Sequence, residues 1–185
     1  MYRNPILVRK ISHLTDARYF AAMGVDWISI ALDQDPASFM QWHAIREWVE
    51  GLQLLAEIPS GDESLFAKTI IDAHPDGILV LGDPPYTLPE DVEYFLVVTN
   101  HTVIPASSKV KIILPYTPGN AFVMPAEIAD PRQVFLESAW TPETLSSLLD
   151  SGYNGGICLT GGQEDATGVR DYEEMDQLFD CLSAY

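Results

Sequence analysis

Residues 155–171 read GGICLTGGQEDATGVRD, a short apolar strand (GICLT, 156–160), a glycine turn, a loop and then the approach to a helix. A strand that runs into glycines exposes bare backbone N–H groups, and a nearby helix start adds the positive end of its dipole. This combination suits a phosphate. The stretch lies close to the C-terminus, where the last strand and helix of a βα-repeat barrel would fall. It is followed by a terminal helix over 172–182, with Met175, Leu178, Phe179 and Leu182 at helical spacing.

Working back along the chain, the same unit recurs. Strands are expected at 6–12 (ILVRKIS), 26–32, 53–58, 77–81, 94–99, 109–114, 134–137 and 156–160. Between them, Thr15 and Asp16 can cap a helix that Gly24 ends, and Pro36 opens a helix to about Gly51 with Phe39, Trp42, Ile45, Trp48 and Val49 as a core stripe. Asp62 or Glu63 starts a helix to His74, and Thr141 and Pro142 open one that closes near Gly152. After the fourth strand, Pro84, Pro85 and Pro89 leave room for at most a short helix around 89–93. Residues 100–108 are too few and too β-branched for a full helix, and 119–132 is irregular with one turn around 125–129. Continuous apolar strands alternating with helices imply parallel pairing. The expected fold is α/β, a compact (β/α)8 TIM barrel with shortened or missing helices after strands 5 and 6, forming a single domain over 1–185. The thin crossovers explain a length below the roughly 200 residues at which such barrels usually begin. An open doubly wound sheet is the alternative, but no G-x-G-x-x-G follows an early strand.

With 47% apolar and 20% charged residues the chain is globular. No apolar run reaches 18 residues and residues 1–10 carry no leader-like apolar core, so neither membrane partner nor secretion is expected, and a cytoplasmic location is. Cys158 and Cys181 are expected as free thiols, and no Cys/His spacing suggests a metal or other cofactor. The net charge of −17 argues against nucleic acid. The acid is unevenly spread: from Tyr94 to Ala126, 33 residues, there is no Asp or Glu, while Lys109, Lys111 and His101 fall in the gap. Buried strands and Pro-rich loops account for such a gap; the sharper reading is a less negative wall beside an anion site.

KISHLT (10–15), Asp16-Ala and Gly24-Val-Asp26 resemble the opening of the phosphoribosylanthranilate isomerases of tryptophan biosynthesis, with K-I-C-G-L-T, a D-A helix and G-A-D. LESAWTPE (136–143), GICLTGGQE (156–164) and GVRD (168–171) resemble that family's later motifs, in the same order. The resemblance implies an Amadori rearrangement of a phosphoribosyl amine without a cofactor, a phosphorylated small-molecule ligand, and leaves a homodimer open as partner.

Departures cluster where that chemistry would sit. The family's general-base cysteine is Ser12 here, a hydroxyl that needs a base of its own. Period-two alternation sets Lys10 and Ser12 on one side of the first strand and points His13 the other way. The resemblance implies Lys10 as the candidate substrate-binding residue, and His13 is either a replacement base or a surface or rim histidine. The family's acid aspartate would end the sixth strand, but ILPYT (113–117) has none. The substrate arginine is absent from LDQDP (32–36). The phosphate-binding Gly-Gly after the seventh strand is Ser138-Ala139, still with two N–H groups, and pairs with Gly161 and Gly162 as candidate phosphate-binding residues; Glu137 opposes an anion if it points inward. Asp33, Glu57, Asp83 and Glu137 end strands at the face where barrel active sites lie. Asp33 and Asp83 read as turn caps, whereas Glu57, set in LLAEIP (54–59), is an acid near the end of an apolar strand and hence paired or functional. Three readings follow: an isomerase-like barrel with altered base and acid positions, a catalytically inactive barrel that binds a phosphorylated small molecule or a partner, or a different phosphosugar reaction using Glu57, Asp83 or His13.

Overall fold

The computed structural model describes residues 2–82, 92–98, 110–120, 122–126, 128, 130–161 and 172–185. Eight strands, β1 (Ile6–Arg9), β2 (Trp27–Ala31), β3 (Gln53–Pro59), β4 (Gly77–Leu81), β5 (Glu93–Val97), β6 (Val110–Pro115), β7 (Val134–Glu137) and β8 (Gly156–Thr160), close into a barrel in sequence order. Every neighbouring pair is parallel, and β8 returns to β1 through Ile6, Leu7, Val8 and Arg9 against Ile157, Cys158, Leu159 and Thr160. The expected TIM barrel is the fold observed.

The strands are apolar on both sides because both sides are buried. Leu7, Leu55, Leu79, Phe95, Ile113, Phe135 and Cys158 form a separate interior cluster, all 0% exposed, with Trp27 and Val97 packed against it. The alternate residues, such as Ile6, Val8, Ile28, Ile30, Ile78, Val80, Val134 and Leu136, join the layer between barrel and helices.

Five α-helices lie among the described residues: α1 (Leu14–Met23), α2 (Pro36–Trp48), α3 (Glu63–Lys68), α4 (Pro142–Asp150) and α5 (Glu173–Ser183). Gly24 ends α1 at φ 75°, where a side chain would be strained, and Asp35 caps α2 by accepting from the Ala37 N–H at 2.9 Å. The start of α1 departs from expectation: His13 stands at the cap, with no side-chain cap bond, and Asp16 lies inside the first turn, buried. In α2 Phe39, Trp42 and Ile45 are buried as core, with Val49 just past its end, but Trp48 lies on the opposite side of the helix from Phe39 and turns out to solvent. After α3 the chain continues as a wider π turn over Thr69–Ala73, and His74 ends it in a left-handed conformation. Thr141 and Thr144 close a reciprocal capping box on α4.

Between β6 and β7 the only helical piece among the described residues is a single 3-10 turn, Pro131–Gln133. The link after β5 (99–109), the segment 83–91 and the loop 162–171 lie outside the described residues. So do the readings placed on Asp83, His101, Lys109, Gly162 and residues 168–171. Among the described residues, no helix is long and apolar enough to cross a membrane, no group of His, Cys, Asp and Glu could hold a metal ion, and both cysteines are free thiols.

Candidate functional site

The C-terminal end of the barrel interior is built around one arginine. Arg9, the last residue of β1, follows Leu7 by two and so shares its inward face. Its Nη2 donates to Glu57 Oε1 at 2.6 Å and its Nε to Oε2 at 3.4 Å; Nη1 donates to Glu137 Oε1 and Oε2 at 2.7 and 2.9 Å. The Ser29 hydroxyl donates to Glu57 Oε2 at 2.7 Å. One guanidinium therefore ties together residues of β1, β3 and β7, with β2 supplying a hydroxyl. A buried cation costs free energy unless it is paired and bonded, and here it is both. Burial would lower the Arg9 pKa, but the bond and charge of Glu57 and the charge of Glu137 outweigh it and hold it above its ordinary value. Cys158 on β8 places its Sγ 3.9 Å from Glu137 Oε1, and burial, reinforced by the Glu137 charge, pushes its thiol pKa well up, so it is a poor nucleophile.

Glu57 is thus paired, the first of the two alternatives its setting allowed. Its partner was not read from the sequence. The signal was present: a cation at the inward position of ILVR, two residues after Leu7. Alternation carried through ILVRKIS to Ser12 leaves the facing of Arg9 against Lys10 and Ser12 undecided. In the structure β1 stops at Arg9, and Lys10 adopts φ 62°, a left-handed conformation rare for a residue with a side chain. This twist breaks the alternation. Ile11, donating its N–H to Ser29 O at 2.9 Å, turns to the outer layer and is 2% exposed, while Lys10, Ser12 and His13 are all exposed at the rim. The expected inward pair of Lys10 and Ser12 is not formed by strand alternation. The Gln41 side chain donates to the Ser12 carbonyl, and among the described residues nothing bonds the Ser12 hydroxyl.

The turn after β7 retains an open backbone. At β2, β5, β6 and β8 the residue following the strand gives its N–H to a neighbouring carbonyl, as in Leu32 to Glu57, Val98 to Ile113, Tyr116 to Glu137 and Gly161 to Arg9. At β7 the Trp140 indole N–H takes the Cys158 carbonyl at 3.0 Å instead. Among the described residues no backbone carbonyl accepts from the N–H of Ser138 or Ala139. Trp140 stacks on Tyr116 at 5.6 Å, and Thr141 then caps α4, so both ends of this turn are held. Glu137 points inward, but its carboxylate is spent on Arg9.

Gly161 is engaged differently from the expectation. Its N–H is donated to Arg9 O at 2.9 Å, and a Cβ there would meet Ile11 Cδ1 at 2.7 Å, Phe20 at 3.0 Å and Val8 at 3.1 Å. The glycine admits close packing of β1 and α1 against β8. Asp33 lies in the turn before α2, accepting from the Asp35 N–H at 2.9 Å, as a turn cap would. Lys111 sits at the opposite, N-terminal end of the interior, 2.5 Å from Glu93, so it forms no part of an anion wall at this mouth.

No family profile and no curated protein matches the chain. Solved structures of similar shape include phosphoribosylanthranilate isomerases. That of Thermus thermophilus is 18% identical with a TM-score of 0.68, covering 97% of this chain and 98% of its own. Monomers generated from the dimeric enzyme of Thermotoga maritima are 12% identical with a TM-score of 0.71, covering 98% and 99%. A third, in complex with reduced 1-(o-carboxyphenylamino)-1-deoxyribulose 5-phosphate, is 11% identical with a TM-score of 0.69, covering 98% and 99%. At these identities the likeness establishes the barrel fold over the whole length, and the fold alone.

Proposed function

We propose that this barrel binds a small phosphorylated ligand at its C-terminal mouth, held by the Ser138 and Ala139 N–H groups, and that it does not run an Amadori rearrangement through Ser12. The reading rests above all on the turn after β7, where two adjacent N–H groups stay open while Trp140 and the Thr141 cap hold the backbone on the far side. Ordered donors of this kind need no rearrangement to receive an anion. The Arg9 pairing supports it too, since it turns the Glu137 carboxylate onto a guanidinium. Against turnover stands Ser12, an exposed hydroxyl with no partner among the described residues to take its proton.

The test is a thermal-shift titration with inorganic phosphate and ribose 5-phosphate, with ribose as control. A ligand that binds only the folded protein adds about 2.7 kcal/mol at one hundred times its dissociation constant. Both phosphates should raise the melting temperature, ribose should not, and Ala139→Asp should abolish the rise. Equal shifts with ribose and ribose 5-phosphate, or none, overturn the reading. The full-length likeness to isomerases favours a second reading, turnover of N-(5'-phosphoribosyl)anthranilate. Purified protein should leave that compound unchanged over the uncatalysed rate; turnover that survives Ser12→Ala would move the chemistry to other residues.

A further inference from the structure

We propose that Arg9 is a receptor for a monocarboxylate, and that Glu137 is a built-in competitor occupying it. The inference deepens the reading above and rests on the mouth being a ligand site. The two carboxylates on Arg9 are held very differently. Glu57 is 5% exposed and has both oxygens engaged, by Arg9 Nη2 and Nε and by the Ser29 hydroxyl. It positions the guanidinium. Glu137 has a side chain 23% exposed, ends its strand, and is bonded strongly by one nitrogen only, Arg9 Nη1, with the Cys158 thiol 3.9 Å away. The edge of Arg9 that Glu57 leaves over thus faces the more exposed, less anchored acid.

Charge selects the ligand class. One guanidinium faces two carboxylates, so exchanging Glu137 for another monoanion leaves the charge around Arg9 unchanged, and Glu137 can swing into solvent. A dianion in the same place would add a charge beside Glu57. A planar carboxylate also repeats the contact that Nη1 already makes with two oxygens. The side chain reduces the apparent affinity of any incoming carboxylate to its intrinsic value times the fraction of time Arg9 is left free. Specificity is therefore set by what can outcompete the protein's own Glu137.

The experiment titrates full-length protein with sodium acetate against sodium chloride at equal ionic strength, following melting temperature and the Arg9 guanidinium 15N resonance. Wild type, Glu137→Ala and Glu143→Ala are compared; Glu143, exposed on α4, removes the same charge away from Arg9. Acetate should bind Glu137→Ala about tenfold or more tightly than wild type, with the Arg9 resonance shifting, and Glu143→Ala should resemble wild type. If the alanine variant does not fold, Glu137→Gln takes its place, with a smaller gain because its amide oxygen still accepts from Nη1. Equal gains in the Glu137 and Glu143 variants, an Arg9 resonance that does not move, or no acetate binding overturns the proposal. Inorganic phosphate run on the same proteins separates the two readings: phosphate bound without acetate sinks this inference alone, and acetate bound without phosphate sinks the phosphate site alone.

Discussion

The two ends of the barrel interior treat charge in opposite ways. At the C-terminal end Arg9 is almost sealed, at 4% exposed, and every polar atom around it has a partner. At the N-terminal end Lys111 pairs with Glu93 and lies over the Trp27 and Phe95 rings at 5.2 and 5.1 Å, yet the Glu93 side chain is 41% exposed. Beside it on β5, Tyr94 faces outward and buries its hydroxyl, and among the described residues neither that hydroxyl nor Glu93 Oε2 has a partner. The lesson is one of stakes. A sealed cation calls for close pairing, whereas a cation whose acidic partner is half exposed tolerates looser pairing. Completeness of pairing thus separates the C-terminal mouth from the N-terminal floor.

The largest expected effect comes from Arg9→Met, which strands Glu57 and Glu137 against one another. A loss of about 3–5 kcal/mol in urea unfolding is expected, as for removal of one partner of a buried pair. A loss below 1 kcal/mol would show that the two carboxylates find another remedy and would erase the contrast. Next comes the alkaline limb. Burial pushes the Tyr94 pKa up to about 12. The folded state favours the neutral phenol, so its contribution is complete below the unfolded value near 10 and is lost as pH rises from 10 to 12. That window should remove about 2–3 kcal/mol, which Tyr94→Phe should spare. Indistinguishable pH profiles for the two proteins would break the claim that this hydroxyl is buried and unpaired.

Lys10→Gly should stabilise by about 1 kcal/mol, because glycine adopts the left-handed conformation without strain. A destabilised variant would mean that the Lys10 side chain does something at the rim that outweighs its backbone cost. The smallest change is expected from Lys111→Met, within about 1 kcal/mol by urea unfolding, since a partly exposed pair contributes little and the methionine keeps the apolar stem. A loss as large as that of Arg9→Met would make the two ends equivalent.

Much of this molecule was legible in one dimension. Apolar strands separated by capped helices specify a parallel barrel, and Pro36, Gly24, Thr141 and Pro142 each do what local chemistry predicts. Local rules work there because a cap or a buried strand depends on residues a few positions apart. Glu57 could be singled out as an acid that had to be paired, but its partner is 48 positions away. Lys10, Ser12 and His13 were misplaced because one left-handed residue, chemically an ordinary lysine, rotates everything after it.

Chain order and residue pattern alone therefore determine the eight-strand architecture, the buried stripes and the face where a site belongs, because these follow from hydrophobic periodicity and backbone sterics. Which side chains meet inside was decided only by closing the barrel. Closure sets β1, β3 and β7 around one interior, so Arg9, Glu57 and Glu137 become neighbours, and a cation so nearly sealed from water must find acidic partners there.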